Sequence, residues 1–167
     1  MALCYGKAEI GVAMPFPTLA PIPINETINN QDSQWLATYL SDSLVVSNDM
    51  KYIGTALINT NFTSANNDLK SVFTYANTLY KDSQKAINDS DLYSVSPDLQ
   101  STKDEYRLEM VQANRAAVYI YHGAKAYKKG NVEAGNSDME QAIQSLYSVT
   151  KHANRAASLL KAYKSKP

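Results

Sequence analysis

Few residues in this chain have the chemistry of a catalytic nucleophile, an acid–base group or a metal ligand. The 167 residues include two histidines, His122 and His152, and one cysteine, Cys4. The histidines lie about 10 and 20 residues from a predicted turn near Val132, so on antiparallel helices their heights would differ by roughly 15 Å. One metal ion or haem cannot bridge that distance. We therefore predict no metal site and no cofactor.

The motifs that accompany common enzyme chemistries are also missing from the sequence. It contains no Glu-x-x-His, His-Glu-x-x-His, Gly-x-Ser-x-Gly or glycine-rich phosphate loop. Cys4 is far along the chain from both histidines, which disfavours a Cys–His nucleophile pair. Glu105 and Glu109 have the one-turn spacing of paired acid–base carboxylates. Nearby basic residues such as Arg107 instead favour a solvent-exposed charged face, and the sequence predicts that the protein is not an enzyme.

Four segments have the periodicity of long amphipathic helices. The packing of these helices determines where the remaining residues of the domain lie. Apolar residues recur at alternating intervals of three and four. The predicted helices cover about 32–58, 64–88, 97–129 and 137–165, within a domain spanning 31–167. Short links make consecutive helices antiparallel. The expected fold is all-α, an antiparallel up-down-up-down four-helix bundle preceded by an extended, Pro-rich N-terminal tail at 1–30.

Local signals place several helix ends and core positions. Ser96 and Pro97 are predicted to cap and begin the third helix, and Gly130 to end it. A capping box beginning at Ser137 is predicted for the fourth helix, although residues 132–134 could already be helical. Trp35 is expected at the edge of the core, beside the apolar stripe of the first helix. Phe73 and Tyr80 are expected within the stripe of the second.

The pentapeptide Ala-Asn-Arg-Ala-Ala occurs twice, at 113–117 and 153–157. Its alanines fall on the predicted stripes of helices 3 and 4, where small side chains permit close packing. Its polar residues point sideways or outward and have two interpretations. The arginines pair with acids of helices 1 and 2, or both copies lie at similar heights and form an interaction patch. That possible patch comprises Asn114, Arg115, Asn154, Arg155, Tyr119 and Tyr121.

The charge pattern agrees with packing between the two halves of the chain. Residues 1–96 have 9 acidic and 5 basic side chains, and residues 97–167 have 7 acidic and 11 basic ones. The total net charge is zero. Because no run of Arg or Lys accompanies the second half, we predict no nucleic-acid binding. The first interpretation of the repeat would pair Arg115 and Arg155 with acids such as Asp42, Asp49, Asp68 and Asp82.

The tail alternates prolines with apolar residues. Proline at this density excludes a helix and favours an extended path. We expect the apolar residues to dock in a groove of this bundle or of a neighbour, through which the chain could self-associate. The alternative is a spacer that leads to an anchor. The docking residues would be Phe16, Leu19, Ile22 and Ile24.

Composition points to an extracytoplasmic protein, secreted or anchored at a surface. Only 19% of residues are charged, and Asn25, Asn61 and Asn88 begin glycosylation sequons. The sequence has no apolar run of about 18 residues, so no membrane span is predicted. The starting residues do not form an intact signal peptide, which leaves a cytosolic protein or a trimmed mature chain.

The stretch from Gly123 to Ala142 resembles the helix turn of a tetratricopeptide repeat, with Gly123, Tyr127, Gly130 and Ala142 at that family's spacing. Gly135 stands where that family has alanine, and no second copy follows at its period. The same stretch, with its Asn- and Tyr-rich surroundings, also resembles uncharacterised secreted or cell-surface helical proteins of methanogenic archaea. That resemblance implies an extracytoplasmic location and no known activity.

Two functions are compatible with these patterns. The first is a non-enzymatic structural or protein-interaction role, since the sequence lacks a catalytic constellation. The alternative is a bundle that binds a small apolar or aromatic ligand between its helices, because a seam of alanines and tyrosines could leave a cavity.

Overall fold

The fold was determined from a computed structural model, which describes residues 30–62 and 69–165. The helices are α1 (Asn30–Asn59), α2 (Lys70–Asp91), α3 (Pro97–Lys128) and α4 (Val132–Lys164). The described residues contain no strand. These helices confirm the predicted all-α four-helix bundle. The predicted tail, with Phe16, Leu19, Ile22 and Ile24, lies outside the described residues.

Contacts between successive helices show that each runs antiparallel to the one before. The indole Nε1 of Trp35, near the start of α1, donates to Ser90 Oγ near the end of α2 at 3.0 Å. Near the start of α3, the Glu105 carboxylate contacts His152 Nδ1 of α4 at 2.6 Å. The confirmed order is up-down-up-down.

Helix α3 is the centre of the assembly. It packs against α1, α2 and α4, whereas among the described helices α4 has Cα atoms within 8 Å of α3 only. Between α1 and α4, no Cα atoms of the described residues approach within 8 Å. The bundle is therefore open at the backbone level between α1 and α4, where a fully closed bundle would have an α1–α4 interface.

Aromatic side chains fill the core where α1 crosses α3. Trp35 stacks on Tyr39 with ring centroids 5.5 Å apart and meets the edge of Tyr106 at 6.3 Å. The prediction that Trp35 lies at the core edge is wrong, because its ring is completely buried. Trp35 is covered because α1 packs against both α2 and α3. The buried face of α1 is therefore wider than the predicted stripe and includes the residue beside it.

The buried face of α2 agrees with the predicted stripe except at two aromatic residues. Val72, Ala76 and Leu79 are completely buried, as that stripe predicts, whereas Tyr80 is 43% exposed and Phe73 is half-buried. The centre of the interface is rotated by one residue, because α2 wedges between α1 and α3. The larger aromatic side chains lie at the rim.

The starts of two helices refine the prediction. Helix α2 begins at Lys70, after Leu69, and the predicted start at 64 lies outside the described residues. Helix α4 has the earlier of the two starts that the sequence allowed. Helix α4 begins at Val132 because Asn131 Oδ1 accepts a hydrogen bond from Ala134 N at 3.1 Å, so the turn at Ser137 is already helical. Pro97 occupies the first turn of α3 as predicted, but the Ser96 side chain makes no capping bond.

The seam between α3 and α4 is built from small residues, as predicted. Ala113, Ala117 and Ala156 are at most 1% exposed. At Gly123, a Cβ atom would lie 3.1 Å from Met139 Cε and 3.2 Å from the Gly135 carbonyl oxygen. Because these side chains are small, the backbones of α3 and α4 can approach each other closely.

No helix in the described part of the chain combines the length and the apolar character needed to cross a membrane.

Candidate interaction surface

The structure brings together two of the six residues predicted to form an interaction patch. Asn114 Nδ2 donates to the Tyr80 carbonyl oxygen at 3.0 Å and to Ser83 Oγ at 3.2 Å. Tyr121, seven residues further along α3, packs against Phe73 with ring centroids 5.1 Å apart. Asn114 and Tyr121 therefore lie along one line, the α2–α3 interface.

The other four predicted residues lie elsewhere. Arg155 Nη1 is 3.6 Å from Glu105 Oε1, at the outer edge of the α3–α4 interface. Arg115 is ten residues beyond Glu105, about 15 Å along the helix axis. The two copies of the pentapeptide therefore do not share one height, because they lie at unequal distances from the turn at Gly130. Asn154 is exposed on α4, and Tyr119 packs on a side of α3 that Tyr121 does not share.

The arginines of the repeat do not neutralise the acids of α1 and α2 in the described part of the chain. The partner of Arg155 belongs to α3, and no ion pair of Arg115 occurs among the described residues. Asp42 lies 3.7 Å from Lys85 of α2 instead. Asp49 faces Asp82, and burial, strengthened by that neighbouring carboxyl, raises the pKa of Asp49 to about 6.

A cluster of exposed aromatic side chains surrounds the first turns of α2. On one flank, Tyr52 of α1 stacks on Tyr75 with centroids 5.6 Å apart, and on the other flank Phe73 contacts Tyr121. The ring planes of the first pair are nearly parallel, at 18°. Tyr80 extends the second flank by two helical turns. We call these five residues, Tyr52, Phe73, Tyr75, Tyr80 and Tyr121, the aromatic face of α2.

This surface is accessible and has little charge. Tyr52, Tyr80 and Tyr121 are 53%, 43% and 41% exposed. The exposed residues between the two aromatic pairs include Thr74 and Asn77, which are uncharged. At its edge, Lys128 Nζ lies 5.9 Å from the centre of the Phe73 ring. Sequence reasoning missed most of this surface, because Phe73 and Tyr80 followed the apolar register and were assigned to the core.

The two histidines have different surroundings in the described residues. His122 is exposed next to Tyr121, and His152 pairs with Glu105. No group of three His, Cys, Asp or Glu side chains in the described part is arranged to hold a metal ion.

Glu109 is the titratable residue that sequence reasoning placed incorrectly. The expectation of a solvent-exposed face is wrong, because Glu109 is only 5% exposed and burial raises its pKa to about 8. Its Oε2 atom has no hydrogen-bond partner among the described residues, and neither does the Tyr106 hydroxyl. Glu109 lies three residues after Tyr106, which contacts α1, and four after Glu105, which contacts α4. It therefore faces the gap between those two helices.

Comparisons with known proteins identify no relative of this chain: no family model, no curated protein and no solved structure matches it.

Proposed function

We propose that this chain is a non-enzymatic interaction protein that binds a partner protein through the aromatic face of α2. The observation that carries this proposal is that three exposed tyrosines, Tyr52, Tyr80 and Tyr121, lie around α2 with Phe73 and Tyr75, whereas the exposed Tyr147 lies on α4. Exposed aromatic side chains with little surrounding charge are typical of the residues that dominate protein interfaces.

The geometry of the surface supports the same function. Tyr75 supports Tyr52 by stacking, and Phe73 supports Tyr121 by an edge contact. Rings held in this way lose little conformational entropy when a partner covers them. Each hydroxyl can still bond to a partner at the rim of an interface.

We further propose an extracytoplasmic location, secreted or surface-anchored. Its support is the composition: 19% charged residues and an abundance of Asn, Ser, Thr and Tyr. Two of the three sequon asparagines, Asn61 and Asn88, are exposed in the described part of the chain. Protease treatment of intact cells of the source organism should degrade an extracytoplasmic protein and spare a cytosolic marker.

Binding of a small ligand is the second candidate, and the α3–α4 seam does not favour it. Alanine side chains and Gly123 bring the two helices together, and a Cβ atom at Gly123 would already crowd Met139. A ligand between these helices would have to displace that packing.

The interaction proposal is tested by removing the exposed rings. Tyr52, Tyr80 and Tyr121 are replaced together by Ser in the full chain. The matched control replaces three exposed apolar residues elsewhere, Leu44, Tyr147 and Leu159, by Ser. Proteins recovered with each variant from the source organism are quantified by mass spectrometry.

We expect at least one partner whose recovery falls tenfold or more with the tyrosine variant and is unchanged with the control. Equal recovery of all proteins by the two variants, with helicity preserved in both, would contradict the proposal.

A further inference from the structure

Charge is distributed unevenly along α2 and α3. Residues 70–81 have two basic side chains and residues 110–128 have three, and neither range contains Asp or Glu. The remaining parts of the two helices, 82–91 and 97–109, have seven acidic and three basic side chains between them. Each helix therefore has one half without acids and one half in which acids predominate.

The antiparallel packing of α2 and α3 places the two acid-free halves side by side. Phe73 contacts Tyr121 at this end of the pair, with ring centroids 5.1 Å apart. At the other end, Arg107 Nε lies 3.5 Å from Asp91 Oδ1. The aromatic rings that lie between α2 and α3 thus belong to the end of the pair that contains cations and no acids.

The cations at this end do not neutralise acids of the bundle. Four of them are exposed, and no ion pair of any of the four occurs among the described residues: Lys81, Arg115, Lys125 and Lys128. Like charges on neighbouring helices repel each other, so grouping them does not stabilise the fold. A helix dipole favours the two lysines in the last turn of α3, but Lys81 and Arg115 lie in the middle of their helices. We call these four residues the cationic border.

One pair of these cations lies beside Tyr80. Lys81 follows Tyr80 directly on α2. Arg115 follows Asn114, whose Nδ2 donates to the Tyr80 carbonyl oxygen at 3.0 Å. The two cations are therefore at the same height on neighbouring helices.

The other pair lies beyond Tyr121. Lys125 and Lys128 are one and two turns further along α3, and Lys128 Nζ is 5.9 Å from the centre of the Phe73 ring. Arg115 and Lys128 are separated by about 20 Å along the helix axis. The rings of Tyr80, Phe73 and Tyr121 thus lie between two pairs of cations.

We propose that the partner of the aromatic face binds through an acidic polypeptide segment, with carboxylates near both ends and an apolar or aromatic side chain between them. This inference rests on the proposed function and specifies the chemistry of its partner. The carboxylates complement the two pairs of cations, and the central side chain covers the rings. An extended segment of about six residues spans the 20 Å between the pairs, at about 3.3 Å per residue.

A polypeptide fits this arrangement better than a nucleic acid does. A DNA strand has a negative charge about every 3.4 Å, whereas the two pairs of cations are separated by a stretch of uncharged side chains such as Asn77 and Tyr121. The net charge of the chain is zero, so the molecule lacks the overall attraction that favours binding of a polyphosphate.

Peptide selection on the folded protein tests the charge of the partner. Random twelve-residue peptides displayed on phage are selected on the full chain. A parallel selection uses the variant in which Tyr52, Tyr80 and Tyr121 are replaced by Ser. We expect the peptides that are enriched on the wild type alone to have a net negative charge, with an aromatic or aliphatic residue between the acids.

The outcomes of the selection separate this inference from the proposed function. Enriched peptides with a neutral or positive net charge would overturn the acidic partner and leave the aromatic face as a binding surface. Enrichment of the same peptides on the tyrosine variant, or of none on either protein, would contradict the aromatic face itself and with it this inference.

Replacement of lysines then measures how much the cationic border contributes to the affinity for the most enriched peptide. The test variant replaces three lysines of the border by Gln: Lys81, Lys125 and Lys128. The matched control replaces three exposed lysines of α4 by Gln: Lys151, Lys161 and Lys164. Each set removes one lysine from within a helix and two from a last turn, so the lost charge and the lost dipole contribution are the same.

Fluorescence anisotropy of the labelled peptide in 50 and 300 mM NaCl gives the affinities. We expect the test variant to bind about tenfold more weakly than the control in the lower salt. The difference should shrink in the higher salt, because ions screen exposed charges. Equal affinities of the two variants would overturn the proposal. Tighter binding of a single-stranded oligonucleotide or of phosphatidylglycerol vesicles than of the peptide would also overturn it and would assign the cationic border to those anions.

Discussion

At the scale of single residues, the fold alters the chemistry of Glu109 most. Its carboxyl is buried near enough to Tyr39 and Tyr106 to act on both electrostatically, and burial raises the pKa of Glu109 to about 8. The carboxyl is therefore mostly neutral at pH 7, whereas in the unfolded chain it would be ionised. Burial, together with the charge of Glu109, also raises the pKa of the Tyr39 hydroxyl.

Glu109 should make the stability of the protein depend on pH. Because its folded-state pKa exceeds the unfolded value, its contribution is fully present below about pH 4.5 and is lost as pH rises through about 8. Glu109→Gln removes the titration. We expect the variant to gain stability relative to the wild type by up to about 1.4 kcal/mol for each pH unit in that interval.

Urea unfolding at several pH values, followed by circular dichroism, measures this difference. Glu140→Gln, at an exposed position of α4, is the control and should leave the pH dependence unchanged. A constant difference between wild type and Glu109→Gln from pH 5 to 8 would show that Glu109 is not buried as described.

At the scale of elements, the α3–α4 hairpin depends on glycine at position 135 and not merely on a small residue there. A Cβ atom at Gly135 would lie 2.9 Å from the Tyr127 ring, which itself packs on Phe62 at 4.8 Å. Gly54 of α1, by contrast, has no atom within 4 Å of its virtual Cβ. The departure of Gly135 from the tetratricopeptide pattern thus has a steric reason here.

These two glycines provide a matched pair of substitutions. Gly135→Ala should destabilise the protein by about 1–3 kcal/mol, because the Tyr127 ring must move away from Phe62. Gly54→Ala should stabilise it by about 0.5–1 kcal/mol, because alanine has the higher helix propensity. Chemical denaturation of both variants measures the changes, and an equal or opposite order would contradict the close packing of the hairpin.

At the scale of the whole molecule, contacts between distant parts of the chain hold α1 against the α2–α3 connection. Asp32 Oδ1 accepts a hydrogen bond from the Ser96 backbone N–H at 2.8 Å, and Trp35 donates to Ser90. Thr38 Oγ1 lies 3.3 Å from the Tyr93 hydroxyl. Together these bonds join the beginning of the bundle to its middle.

Loss of the Asp32 contact should weaken this closure. Asp32 is 2% exposed, so Asp32→Ala leaves the partly buried Ser96 N–H without its acceptor. We expect a loss of about 1–3 kcal/mol in the free energy of unfolding. The control, Asp104→Ala, removes an exposed carboxylate that bonds only to Gln100 in the described residues and should change stability by less than about 0.5 kcal/mol. Similar losses in both variants would contradict a closing role for Asp32.

The sequence by itself determined the four helices, their antiparallel order and the small-residue seam of α3 and α4. These features depend on local rules. The period of the apolar residues predicts the helices, and Pro97 favours the first turn of α3. Gly130, with a φ of 76°, adopts the left-handed conformation in the turn between α3 and α4. Each rule acts within a few residues, so it can be applied before the neighbouring helices are known.

Only the tertiary structure decided which side of each stripe is covered. Successive residues on a helix differ by 100°, so a stripe locates the centre of a buried face only to within about one residue. Tyr80 therefore lies on the surface, and Trp35 and Glu109 lie inside. The gap between α1 and α4 depends on how three helices pack around α3, since residues distant in sequence set those distances. The aromatic face of α2 also follows from that packing.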